Sequence, residues 1–265
     1  MKLPVLFISH GGGPWPWIDE RRSDFAGTYQ FLQALPGTLP AKPKAILSVS
    51  GHWEEPEFTV STAEHPPMVY DYYGFPEHTY RIKYPAPGSP ELARRVEGLL
   101  GSAGIHAAED AERGFDHGTF VPLAVMYPNA DVPIVSLSLR SSLDAGEHIR
   151  MGAALQPLRD EGVLIVGSGL SYHNLRALRA SASAGPVSEQ FEAWLTRAVE
   201  MPDIEARAAL LSGWADAPAA RLAHPREEHL IPLMVAAGAA ASSRGRCAFR
   251  DRVWDVSMAS YRFED

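Results

Sequence analysis

The sequence holds a single cysteine, Cys247. That excludes an intrachain disulfide and any metal cluster built on several thiolates. No apolar run approaches the ~20 residues that a membrane span requires. Blocks of like charge are missing too: the formal charge of −8 is spread along the chain. Phosphate recognition needs clustered Lys and Arg, so neither a nucleic-acid nor a membrane surface is expected as a partner. The stretch from Met1 to Ser9 is too short for a signal-peptide core, and the expected location is cytoplasmic. No internal repeat is present.

What is there fits one α/β domain over 1–265. Apolar residues make up 46% and charged residues 21% of the 265, ordinary values for a globular protein with a sizeable core. Four compact segments rich in β-branched residues and bounded by Gly, Pro or Ser read as buried parallel strands: Val5–Ile8, Ala45–Val49, Ile134–Leu137 and Val163–Val166. Helical patterns fall at Pro90–Leu100, Phe120–Met126, Ala145–Arg159, Val187–Glu200, Ile204–Trp214 and Glu227–Ala241. The alternation predicts a central, mostly parallel sheet with helices on both faces. Pro56–Pro90, crowded with Pro, Gly, Tyr and Phe, reads as a long, partly extended insertion, and Ala180–Pro186 as a flexible, exposed link.

Ten histidines are a modest excess, and their positions carry the information. His10 follows the first strand, His52 the second, and His173 the fourth after the turn Gly167-Ser168-Gly169. Ligand crevices of open α/β sheets lie beyond the carboxyl ends of the strands. Any one of the three is most simply a histidine that happens to end a strand. Three at equivalent positions point to a shared metal or acid–base site. His117, between glycines, opens the helix Phe120–Met126. His224 and His229 flank the start of the last helix, five residues apart, so two rings on that helix would point about 140° away from each other, and one of the pair is expected to reach the site. His65, His78, His106 and His148 read as surface or structural. Imidazole without thiolate suits Fe(II), Zn(II), Cu or Ni rather than Mg or Ca. Trp15, Trp17, Trp53, Tyr72, Tyr73 and Phe75 are candidates for the wall of a flat aromatic pocket, and each taken singly is as readily a core or rim hydrophobe. Gly11-Gly12-Gly13 lacks the Lys-Ser/Thr of a phosphate loop.

Six motifs occur in order: Ser9-His10-Gly11, Gly51-His52-Trp53, Tyr84-Pro85-Ala86-Pro87-Gly88, Gly114-Phe115-Asp116-His117-Gly118, His173-Asn174-Leu175 and Glu228-His229-Leu230-Ile231-Pro232. This set, covering almost the whole chain, resembles the class III extradiol ring-cleavage dioxygenases of the DOPA-dioxygenase type, related to the catalytic subunit of protocatechuate 4,5-dioxygenase. The resemblance implies an enzyme that opens a catechol-type ring with O2 to a muconic semialdehyde, using Fe(II), with Zn(II) able to occupy the site after purification. It implies His10, His52 and His229 as metal ligands, with Glu228 the alternative to His229. It further implies His173 as acid–base, close enough to be a possible ligand, and His117 as a second catalytic histidine. Trp15, Trp53, Tyr72 and Tyr73 are the expected substrate contacts, and an oligomer is compatible with all of this. Two other functions would use the same residues. A zinc-dependent hydrolase would work without oxygen, and a non-catalytic scaffold is disfavoured because every ligand and acid–base position is filled.

Overall fold

A segment that is apolar at every position needs cover on both faces, which the middle of a parallel sheet provides. The computed structural model, which describes residues 2–180 and 184–265, places such segments there. The strands are β1 (Val5–Ser9), β2 (Ala45–Ser50), β3 (Glu54–Glu55), β4 (Phe58–Ser61), β5 (Ala107–Asp110), β6 (Ile134–Ser136), β7 (Leu139–Arg140), β8 (Val163–Gly169), β9 (Arg244–Val253) and β10 (Val256–Glu264). Six of them form the main sheet in the order β6-β2-β8-β1-β10-β9. The first four are mutually parallel, and β10 and β9 run antiparallel at one side. Helices flank this mostly parallel sheet, so the expected α/β class holds. Among the described residues, no helix is long and apolar enough to cross a membrane.

The four expected strands are β1, β2, β6 and β8, the last continuing past Val166 to Gly169. Three features differ from expectation. The last long helix begins only at Ile231, with Pro232 in its first turn, so neither His224 nor His229 lies on it. Of the expected link, 181–183 lie outside the described residues, while Ala184, Gly185 and Pro186 start a helix, Ala184–Val199, with Ala184 buried. Strands β9 and β10 form a hairpin that no sequence signal announced: its turn, Trp254-Asp255, has both residues at positive φ with neither Gly nor Asn. The insertion Pro56–Pro90 contributes β4, which pairs with β5, and a 3-10 turn at Glu77–Arg81, and is otherwise irregular chain over the carboxyl edge of the sheet.

The helix Ile231–Ala240, built of small and branched apolar residues, is buried along its whole length. It lies between the sheet and the helix Ala145–Ala154 at backbone contact. A Cβ on Gly238 would stand 2.0 Å from the Ile149 carbonyl oxygen. Two buried arginines accommodate its carboxyl end. Arg159 donates to the carbonyl of Ala240, and Arg207 to those of Ala241 and Ser243. Cations there complement the helix dipole and satisfy carbonyls that have no partner within the helix.

This packing predicts opposite outcomes for two chemically identical changes. Gly238→Ala must push two backbones apart and should cost about 1–3 kcal/mol in urea denaturation. Gly98→Ala, on an exposed helix position with open space around it, should stabilise by roughly 0.5–1 kcal/mol through the unfolded chain.

Candidate active site

Because β1, β2 and β8 are parallel, the residues that follow them emerge at one edge. His10 continues β1, its N–H donating to the Gly169 carbonyl at the end of β8. Gly11, at φ +81°, then turns the chain away, and the indole N–H of Trp15 donates to the His10 carbonyl at 2.8 Å. His52 follows β2, its N–H donating to Ser50 Oγ, which in turn donates to Asp116. Asp116 also caps the helix His117–Met126, accepting from the N–H of Thr119, and thereby sets His117 at the helix start. His173 lies in the turn after β8. His229 sits in the turn before Ile231–Ala240, its carbonyl accepting from Leu170 N–H. Five imidazoles thus meet at the edge, delivered by five separate pieces of chain.

Two carboxylates brace four of these rings in pairs. Asp71 receives Nδ1 of His117 at 2.9 Å and Nδ1 of His52 at 3.2 Å. Glu228 receives Nδ1 of His173 and Nδ1 of His229, each at 2.8 Å. A carboxylate on Nδ1 fixes the tautomer with the proton there, leaving Nε2 as a lone pair. Hence Nε2 of His52 and Nε2 of His229 present lone pairs to each other at 3.1 Å. Such a contact repels unless a cation or proton joins it. His10 is fully buried, and neither of its ring nitrogens has a hydrogen-bond partner. Buried polar atoms rarely stay unpaired.

The charge states favour a divalent ion. Burial first, then the neighbouring imidazoles, hold His10 and His52 well below the ordinary histidine range. Burial takes His229 down to about 4, against the opposing pull of Glu228. Burial would raise Asp71 and Glu228, but the hydrogen bonds from their histidines outweigh it and both lie below the usual carboxylate range. At neutral pH the three rings are therefore neutral, beside two negative charges. The centroids of His10, His52 and His229 lie 5.0, 4.6 and 5.3 Å apart. Imidazoles bound at about 2.1 Å with angles of about 90–110° would stand roughly 4.5–5.3 Å apart. The pairs His52–His117 and His173–His229, at 3.9 and 3.5 Å, are closer than that. Donor atoms of His10, His52 and His117 lie within 4.8 Å of one another, as do those of His173, Glu228 and His229, so the donor set fits a metal ion.

A cleft of about 800 Å³ opens in front of the five rings. Tyr72, Tyr73 and Phe75 line it, as expected, and Tyr73 is 90% exposed at its mouth. Trp15 and Trp53 are not on its wall. Trp15 is buried against Phe25 behind the His10 turn, and Trp53 lies under Arg113 with its N–H on Glu55. Sequence reasoning missed the double contact of Asp71. An acidic residue in a loop has no signature until the fold brings it to two histidines. Arg21, Asp24 and Trp254 on the cleft wall were missed as well. His224 is buried beside Phe191 and Trp214, its Nε2 donating to the Ser171 carbonyl. His148 is likewise structural, linking the Asp144 carbonyl and Arg140 N–H.

Five imidazoles facing one cleft at the carboxyl edge of a parallel sheet, with acids behind them, define a metal-dependent α/β enzyme. Residues 4–260 match the family described as the catalytic LigB subunit of aromatic ring-opening dioxygenase, and the chain belongs to that family. Among similar proteins, 4,5-DOPA dioxygenase extradiol of Beta vulgaris is 40% identical over 98% of this chain and 96% of its own. That of Portulaca grandiflora is 39% identical over 97% and 94%. The crystal structure of an uncharacterized protein from Escherichia coli K12 superposes with a TM-score of 0.79 at 32% identity, covering 99% of this chain and 100% of that one. The protein is thus an extradiol ring-opening dioxygenase, as the six motifs implied.

Two measurements follow from the geometry. Asp71→Asn removes the charge behind His52 and His117 and should weaken metal binding about 10- to 100-fold in a chelator competition. His224, which burial lowers to about 3, stays neutral in the fold while the unfolded chain takes up a proton below about 6.5. Stability should therefore fall as pH drops from 6.5 toward 3. Urea denaturation of the metal-free protein at pH 7.5 and 5 should show His224→Gln losing roughly 2 kcal/mol less than wild type over that interval.

Proposed function

We propose that the protein is a non-haem Fe(II) dioxygenase that cleaves a catechol-type ring beside a hydroxylated carbon, consuming O2 and yielding a muconic semialdehyde. The observation that carries this reading is the paired lone-pair contact of His52 and His229 beside the unpartnered ring of His10. These three residues would hold the ion. Bound iron(II) would supply a meeting point for the two substrate oxygens and O2, and would acidify a catechol hydroxyl.

The remaining work falls to the chain's own groups. His173, with Nδ1 on Glu228, lines the cleft and can take the second hydroxyl proton as a general base. Glu228 stabilises the imidazolium so formed, and the proton is available again when the ring opens. His117, braced by Asp71 in the same way, lies beside His52 and stabilises charge developing on the substrate. Tyr72 lies edge-on to His117 at 5.8 Å and supports it from the cleft wall. Gly12 has open space on the cleft wall near His10, while Gly11 and Gly13 admit the rings of Trp15 and Phe75. An aromatic substrate and O2 are the partners this family membership implies.

Metal-free protein loaded anaerobically with Fe(II), then given air and a panel of catechols, should consume oxygen in step with a new yellow product. His173→Ala should lower kcat about 100-fold or more, and zinc loading should abolish uptake. Absence of uptake with every catechol despite stoichiometric iron would sink the reading.

A further inference from the structure

The cleft wall is charged at one place that the ring-opening chemistry does not use. Arg21, on the short helix Asp19–Asp24, is the one Lys or Arg side chain lining the cleft among the described residues. Its guanidinium stands 5.0 Å from the ring centroid of Trp254 and 5.9 Å from that of Phe75. It makes no ion pair and no hydrogen bond among the described residues, although Asp19, Glu20 and Asp24 share its helix. Asp24 is engaged elsewhere, receiving the indole N–H of Trp254 at 2.8 Å. Aromatic faces hold a guanidinium without consuming its N–H donors, so the fork stays free for a ligand. The place is continuous with the reacting end. Phe75 packs on Gly13, next to the His10 turn, and on Tyr72, which touches His117.

We infer that Arg21 is a specificity-determining residue that receives a carboxylate carried on the ring substituent of the substrate, so the preferred substrates are catechols with an anionic side chain. This rests on the catechol-cleaving reading above. Four apolar residues of the wall agree with it. Ile18, Leu170, Leu175 and Leu178 offer no other partner for an anion, and a guanidinium binds a carboxylate with two parallel N–H donors.

The test uses the Fe(II)-loaded protein with two probes that differ only in charge, 3,4-dihydroxyphenylpropionate and its methyl ester. Dissociation constants are read anaerobically from tryptophan fluorescence, and kcat and KM after admission of air. Wild type should bind the acid about 10- to 100-fold more tightly than the ester, with the preference in KM. Arg21→Gln should bring the ratio to within about threefold, and Arg21→Lys should restore part of it. Equal binding of acid and ester by wild type, or a wild-type ratio kept in Arg21→Gln, would overturn the assignment. Should Arg21→Gln fail to fold, the wild-type ratio at rising salt decides: a fall supports the inference and a constant ratio refutes it. A binding preference without oxygen uptake would sink the reaction and leave the role of Arg21 standing.

Discussion

The close approach of residues 228–232 to the ends of β2 and β8 is the constraint on which the site depends. A Cβ on Gly169 would stand 2.0 Å from the His229 carbonyl oxygen, and one on Gly51 would stand 2.9 Å from that of Glu228. Nothing larger than hydrogen fits at either strand end. The contact is fastened by Leu170 N–H to the His229 carbonyl, and behind it the buried helix Ile231–Ala240 fills the space between sheet and neighbouring helix. Because the turn is pressed against the strand ends, Glu228 and His229 come within reach of His173 and His52. A looser seam would leave the third ring, and the acid that fixes its tautomer, away from the other two.

Electrostatics explains why the arrangement is stable and yet reactive. Five imidazoles in one place would repel if charged, and burial keeps the innermost three neutral. The two acids behind them remain ionised, each with two Nδ1 atoms close to it, so the centre carries negative charge that suits a divalent cation. Arg226 stands outside Glu228 at 3.5 Å and is held by Glu54. Arg113 plays the corresponding part near Asp116, the residue that orients Ser50 and the His117 helix. The outer polar contacts thus hold ring orientations, while the cleft side of His117 and His173 stays open to a substrate.

By itself the sequence determined the class of fold and most of the histidines that meet at the site. Val5–Ile8, Ala45–Val49 and Val163–Val166 could bury both faces only as inner strands of a parallel sheet, and parallel strands send the residues after their carboxyl ends to one edge. His10, His52 and His173 were legible for that reason, and His117 and His229 through the ordered motifs around them. Local pattern was silent where the outcome depends on distant chain. The β9–β10 hairpin turns on Trp254-Asp255 without the usual turn residues, and β10 carries Ser and Arg at buried positions because β1, β9 and the neighbouring helix cover it. Pro232 delayed the last helix, which moved His229 off it and into the turn.

Tertiary structure alone decided which polar groups meet. Asp71 is an acid in a loop until the insertion lays it across His52 and His117. Trp15 and Trp53 neighbour the ligand motifs in sequence, yet the turns at Gly11 and after Ser50 direct them into the core. Arg21, Phe75 and Trp254, from three remote segments, form one wall. Periodicity records whether a residue faces the core, because burial acts along each element; partnership between side chains is set by how elements cross, and adjacent sequence holds no record of that.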